Sequence, residues 1–367
     1  MPDADLARRA KNLLDDLARE PRFAGSAGES RARTLCRLEL ERGGFDCKEI
    51  PFEYSQAPGR WGPPLATAAQ IVTVIVVAES AMNVGAFSAL LTGAGFLMAL
   101  LFADANAKKR SIERFPLQRA RSVNLEARRG NPTAWLVAHL DSKSQTVPML
   151  IRIASSVTLA AVLGVTLIAL LVSIAGLKTG PTLWVGLEIA AIVAAIPSLL
   201  CFVKNESSGA VDNASGVVAV LLAARSASAP PELGILITSG EELGLAGARI
   251  WAHTAQPGLR ALNCDTVDDA GGWRCMYTGA KPKAIAAAAE SVAGRLGVRL
   301  RVGRLIPGIL ADSIAFADLG MEAATLSRGT LSTLARIHTR RDTSNALSGK
   351  GAADASVLLS ALAKELG

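Results

Sequence analysis

Three long stretches of the chain carry almost no charge. Residues 65–103 have Glu79 as their only charge, residues 153–177 have none, and residues 179–203 have only Glu188. A helix needs about 17–25 apolar residues to cross the hydrocarbon of a bilayer. The first stretch is therefore long enough for two short spans that turn near Glu79. The other two form a second pair, closed by Lys178, Gly180 and Pro181. Trp61 and Trp184 fall near predicted ends of spans, where interfacial aromatic residues belong.

Between and after these stretches the pattern changes to an alternation of short β-rich runs and amphipathic helices. Residues 1–20 read as a charged amphipathic helix with no apolar signal-peptide core. Residues 26–42 read as a second helix, closed by Gly43 and Gly44. Strands are expected at 122–127, 133–138, 233–238 and 259–264, and helices from about 215, from 243, at 282–296 and from about 351. Such alternation predicts an α/β fold with a mixed, mostly parallel sheet flanked by helices. Two helical hairpins, 65–103 and 148–203, interrupt that domain, which is assembled from residues 1–64, 104–147 and 204–367.

Composition sharpens the membrane reading. Half of the 367 residues are hydrophobic but only 4% are aromatic, and the mean hydropathy is +0.32. The net charge of +7 would suit a nucleic-acid binder, but its placement argues otherwise. Residues 104–130 hold eight Lys or Arg against three Asp or Glu, directly after an apolar stretch. Basic residues in that position mark the cytoplasmic flank of a span, so a lipid bilayer is the expected partner and nucleic acid is not. Each hairpin returns the chain to the side it left. Arg60, Lys108, Lys109, Arg110, Arg152 and Lys204 all lie on the polar side, while the turns carry only Lys178. The expectation is an integral protein of a bacterial inner membrane with its polar domain in the cytoplasm. Five cysteines without regular spacing give no disulfide framework.

Metal-capable side chains cluster where the strands end. His139 closes the run Trp135-Leu-Val-Ala138, Glu241 and Glu242 follow the run 233–238, and Asp265 follows Ala261-Leu-Asn-Cys264. Asp212 lies in a Gly/Ser/Asn loop ahead of a helix. Ligands of open α/β sheets gather at the carboxyl ends of strands, so these residues can converge. Zinc takes imidazole nitrogen and carboxylate oxygen, and two zinc ions can share one bridging carboxylate. A further carboxylate beside a ligand can act as the general base, and the pair Glu241–Glu242 supplies one of each.

The segments Ala138-His-Leu-Asp-Ser142, Gly209-Ala-Val-Asp-Asn-Ala-Ser-Gly216, Thr238-Ser-Gly-Glu-Glu-Leu-Gly244, Asn263-Cys-Asp265 and Ile337-His-Thr339 resemble the metal-site signatures of the M28 family of zinc aminopeptidases. The order of the five ligand types is the family's order, and Pro21-Arg-Phe-Ala-Gly-Ser26 is similar to its entry segment. One spacing departs: His139 and Asp212 are 73 residues apart, and removing the 56 residues of 148–203 leaves the 17 usual for the family. The second hairpin thus reads as an insertion beside the site. The resemblance implies two Zn2+ per chain, one held by His139 and Asp265, the other by Glu242 and His338, with Asp212 bridging. It implies Glu241 as general base, Asp141 as the residue orienting the His139 ring, and Asp312 near the site. The implied substrate is a peptide with a free amino terminus. Glutaminyl cyclisation on the same scaffold is the alternative chemistry, and a non-catalytic membrane receptor or assembly subunit is the alternative class. His253 reads as an ordinary helix residue, and Asp268 and Asp269 as a solvated loop.

Overall fold

The computed structural model describes residues 4–95, 98, 115–226, 228–256, 258–306 and 308–367. The chain divides into two units, Met1–Gln56 with Pro116–Ser144 and Lys204–Gly367, and Ala57–Phe115 with Gln145–Val203.

The first unit is built on an eight-stranded sheet. Its strands are β1 (Asp46–Ser55), β2 (Arg119–Arg129), β3 (Ala134–His139), β4 (Leu233–Thr238), β5 (Arg260–Val267), β6 (Gly272–Tyr277), β7 (Leu300–Arg304) and β8 (Glu322–Gly329). They lie in the order β1-β2-β4-β3-β5-β8-β6-β7. The inner strands β4, β3, β5 and β8 are mutually parallel. β2 runs against β1 and β4, and β6 runs against β8 but with β7. Every residue of β3 and β4 is buried, which explains why both read as continuous apolar runs: a parallel strand covered on both faces has no polar side.

Helices Ser215–Ala224, Lys350–Leu366 and Ala4–Leu17 pack together, and Ser215–Ala224 also packs on β3 and β5. Successive side chains of a strand alternate faces, so Trp135 and Val137 of β3 join a different cluster, with Leu236, Trp251, Ala261 and Phe316. Trp251 stacks 4.7 Å from Trp135 and 5.8 Å from Phe316, the latter edge-on. Its indole N–H donates to Glu126 Oε2 at 2.5 Å. Gly234 faces Trp135 across the β3–β4 ladder, and a methyl group there would come within 2.3 Å of the indole. Gly234→Ala is therefore expected to destabilise the sheet by about 1–3 kcal/mol, the usual cost of overpacking. Thermal unfolding with unchanged midpoint would show that Trp135 can move aside.

Strand direction places the openings of this unit. β1 and β2 are antiparallel, as are β2 and β4, so β1 runs the same way as β3 and β4. The chain leaves the unit just after Ser55 at the end of β1 and re-enters just before Arg119 at the start of β2, its ladder partner. It leaves again at Ser144, shortly after His139 ends β3. These points lie at the carboxyl edge of the parallel strands, where ligands gather.

The second unit holds three helices long and apolar enough to cross a membrane, Ala57–Asn83, Met149–Ile174 and Pro181–Leu199, and a shorter apolar helix at Ala86–Gly95. Less than a third of each long helix's most apolar window is buried. Their contacts use small residues and a few large ones: Ala78, Ala191 and Ala195 with Val74, Leu159, Leu170 and Trp184. Ser155 ties two helices by donating to Ala194 O at 2.6 Å. The first helix differs from expectation. It begins at Ala57 and runs past Glu79 to Asn83, where the Asn83 amide donates to Glu79 O at 3.0 Å and Glu79 Oε2 at 2.8 Å. The turn falls at Gly85, whose φ of +118° suits a residue without Cβ. The part of the expected second span beyond Gly95, apart from residue 98, and Lys108, Lys109 and Arg110 lie outside the described residues.

Four strands of the sheet are not legible in the apolar pattern: β1, β6, β7 and β8. β1 is an edge strand with four charged side chains among its ten residues, and β6 and β7 each carry arginine and glycine within five or six residues.

Candidate metal centre

The ligand candidates come from distant parts of the chain and meet at one edge of the sheet. His139 is the last residue of β3, paired with Thr238 at the end of β4. Gly240, at φ +70°, turns the chain so that Glu241–Leu243 forms one turn of 3-10 helix. Asp265 lies inside β5, which runs three residues beyond the expected end. Asp212 sits in an irregular stretch before Ser215–Ala224, and its peptide bond to Asn213 is cis. The Asn213 side chain fixes that stretch, donating to Cys264 O at 2.9 Å and accepting from Gly216 N at 3.0 Å and Thr266 N at 3.2 Å. His338 follows the short helix Leu331–Arg336, with its own backbone at φ +59°.

Asp212 is the hinge of the geometry. Its Oδ1 lies 3.3 Å from His139 Nε2, and its Oδ2 lies 3.0 Å from His338 Nε2. His139 Nε2 is also 3.5 Å from Asp265 Oδ1 and 4.0 Å from Glu241 Oε2. His338 Nε2 is 3.2 Å from Glu242 Oε1. Two sets of donors result, each compact enough for one ion: His139, Glu241 and Asp265, and Asp212, Glu242 and His338. All six side chains are buried.

The expected orienting role of Asp141 is divided. The His139 Nδ1 lies 3.1 Å from the Asp141 backbone carbonyl, while the Asp141 carboxylate stands 3.8 Å away, beyond hydrogen-bond range. That carboxylate instead accepts the backbone N–H of Glu241 and of Glu242, each at 3.2 Å. Asp141 thus secures the turn carrying both glutamates. Asp312 accepts from Thr238 Oγ1 at 2.5 Å at the end of β4, which places it beside the site as expected.

Three further residues support the site in ways their sequence context does not show. Lys143 donates to Glu242 Oε2 at 2.7 Å and to Glu242 O at 3.1 Å. Asp342 is fully buried against the Asp212 loop. Asp268, expected in a solvated loop, is buried and accepts from Thr333 Oγ1 at 2.6 Å and Arg336 at 2.7 Å. It anchors the helix that leads into His338, because burial of a carboxylate requires such partners. Asp269 accepts from Gly351 N at 2.7 Å and from the Ser348 hydroxyl at 2.8 Å, so it too is engaged.

The charges of the site call for cations. Asp141, Asp212, Glu241, Glu242, Asp265 and Asp312 are all buried in one neighbourhood, where Lys143 is the cation paired directly with Glu242. Burial would lower the His139 imidazole, but Glu241, Asp212 and Asp265 reverse this and raise it well above its ordinary value. His338 is likewise raised, with Glu242 and Asp212 overcoming burial and Lys143. The carboxylates around both rings thus favour positive charge at this place. Burial drives Glu241 well up, further raised by Glu242 and Asp265, and drives Asp141 to about 8 and Asp312 to about 6. Asp212 moves the other way: burial is outweighed by the two imidazoles. Among the described residues, buried His338 Nδ1 has no hydrogen-bond partner, and buried Glu242 Oε1 has only its ion contact with His338 Nε2. An imidazole and carboxylate donor set of this kind fits zinc.

Comparison with known proteins agrees with this reading. The family model "Peptidase family M28" matches residues 123–363, more than half of the chain. No curated protein sequence matches. Among solved structures, the aminopeptidase from Aneurinibacillus sp. strain AM-1 is similar at a TM-score of 0.57 and 15% identity, covering 97% of this chain and 92% of that one. A zinc aminopeptidase from Bacillus subtilis is similar at 0.56 and 14%, covering 97% and 94%. The glutaminyl cyclase from Fimbriiglobus ruber is similar at 0.53 and 16%, covering 99% and 95%. At such identities the structures establish the fold. Sheet, site and family model together define a zinc metallopeptidase-type hydrolase. The chain belongs to peptidase family M28.

Proposed function

We propose that this protein is a membrane-anchored aminopeptidase with a centre of two zinc ions. The observation that carries the reading is the Asp212 carboxylate, with one oxygen toward each imidazole, at 3.3 and 3.0 Å. His139 and Asp265 would hold one ion, Glu242 and His338 the other, and Asp212 both. Zinc bound there supplies a Lewis acid for the scissile carbonyl and a lowered pKa for the attacking water. Glu241, the most distant of the three carboxylates around His139, is left free to accept the water's proton and return it to the leaving amine. Its raised affinity for protons suits that task. Lys143 offsets the charge of Glu242, and Asp141 holds both glutamate amides, so the turn presents one glutamate for metal and one for the proton.

The three long helices would lie in the bilayer, because their outward faces carry large exposed apolar side chains such as Val157, Leu167, Ile168, Ile189 and Val193. Arg60, Arg152 and Lys204 against Lys178 of a turn support a reading in which the sheet unit faces the cytoplasm of a bacterial cell.

Detergent-purified protein is expected to release the first residue from unblocked peptides, to leave N-acetylated ones intact, and to lose activity on chelation until zinc is restored. Release from blocked peptides as well, or activity that survives chelation, would overturn the reading. The similarity to glutaminyl cyclases makes cyclisation of an N-terminal glutamine the second reading. One zinc per chain with cyclised product would select it. A non-catalytic role is disfavoured by the complete donor set.

A further inference from the structure

The loop of residues 208–212 is held from two sides by buried ionic side chains, neither of them among the proposed ligands. Arg22 is fully buried in the connection between the first two helices. Its guanidinium donates to Leu17 O, Leu140 O and Gly209 O, each at 2.9 Å, and to Ser208 O. Asp342, also fully buried, accepts Val211 N at its Oδ1 (2.7 Å) and Asp212 N at its Oδ2 (3.1 Å). Its backbone carbonyl accepts the Ser208 hydroxyl at 2.8 Å and Ala210 N at 3.3 Å. One ion thus takes carbonyls of the loop and the other takes its amides. Gly209 allows the fit: its φ is +58°, and a Cβ there would lie 2.4 Å from Asp212 O and 2.5 Å from Ser142 Cβ.

Asp342 lies four residues after His338, and its N–H donates to Thr339 O at 3.2 Å. The same short segment therefore supports His338 and the backbone of Asp212. A bridging carboxylate must present two oxygens in two fixed directions at once, and an error near 1 Å is costly at a catalytic site. Ordinary loop packing does not hold a backbone amide that tightly; tandem bonds to one carboxylate do.

We propose that Asp342 and Arg22 are positioning residues that clamp the 208–212 loop and so aim the Asp212 carboxylate at both metal positions. The proposal rests on the zinc reading given above. It assigns work to the entry segment around Arg22 and to Asp342, four residues after the last histidine.

The test uses full-length protein in detergent, loaded with zinc or with cobalt as a spectroscopic stand-in. Asp342→Asn puts an amide in place of one accepting oxygen and leaves the shape unchanged. It is expected to weaken zinc about 10- to 100-fold in chelator competition, as loss of a group supporting a ligand usually does. The cobalt absorption spectrum should shift, and kcat should fall by a similar factor while KM stays within about threefold. Ser208→Ala, which removes one bond to the Asp342 carbonyl, gives a milder loss in the same direction and keeps the test valid if Asp342→Asn does not fold. Leu359→Ala, buried in the C-terminal helix, lowers thermal stability but should leave zinc affinity and the cobalt spectrum as in wild type. Wild-type zinc affinity and spectrum in Asp342→Asn and Ser208→Ala would overturn the clamp, as would an equal loss in Leu359→Ala. A wild-type protein that binds no zinc would instead overturn the zinc reading itself.

Discussion

Glu241→Gln is expected to leave zinc content unchanged and to lower turnover by about 10³-fold, within the usual contribution of a general base. Gln keeps the volume and one accepting oxygen of Glu but cannot hold the proton. The glutamate is the least engaged carboxylate around His139, 4.0 Å from Nε2 against 3.3 and 3.5 Å for Asp212 and Asp265. Its backbone N–H stays bound to Asp141 whatever its side chain, so the turn should survive the substitution. Kinetics and metal content must be read together. Loss of zinc along with activity would make Glu241 a ligand, as its place among the donors near His139 allows. Retained turnover would remove it from the mechanism.

Asp212→Ala is expected to be at least as damaging, for a different reason. One side chain faces both imidazoles, so its loss takes a carboxylate oxygen away from each of them. Zinc content should fall below two per chain, with turnover reduced about 10³-fold or more. Stability offers a second readout. Free zinc at about a thousand times its Kd stabilises a site that binds only in the folded state by about 4 kcal/mol. Chelation should therefore lower the thermal midpoint of wild-type protein and lower that of Asp212→Ala by less. A variant that keeps two ions would mean that Asp212 does not bridge.

Much of this site is legible in residue type and position alone. His139, Asp212, Glu241, Glu242, Asp265 and His338 stand next to strand ends or in loops beside helices, and all six are brought together. Periodicity reveals β3 and β4 because their burial on both faces leaves an unbroken apolar record. It misses β1 and β7, the two edges of the sheet, where one side meets solvent and charge interrupts the pattern. The supporting residues escape for a related reason. Lys143, Asp268 and Asp342 look like surface residues by type, and acids and lysines are mostly exposed. Their partners lie 99, 65 and 130 residues away in the chain. Asp141 can be picked out by its place beside His139, but its work cannot: its carboxylate serves two backbone amides rather than the imidazole ring next to it.

The sequence by itself determined the class of fold, the identity of the metal-capable side chains and the presence of helices apolar enough for a bilayer. Each of these is written locally, as hydrophobic period, residue type or an uncharged run. The tertiary structure decided which oxygen faces which imidazole, that Asp141 and Lys143 divide the support of the Glu241–Glu242 turn, and that Arg22 and Asp342 grip the Asp212 loop. Those outcomes depend on hydrogen bonds between segments far apart in the chain, whose directions are set only once the sheet has brought the strand ends together.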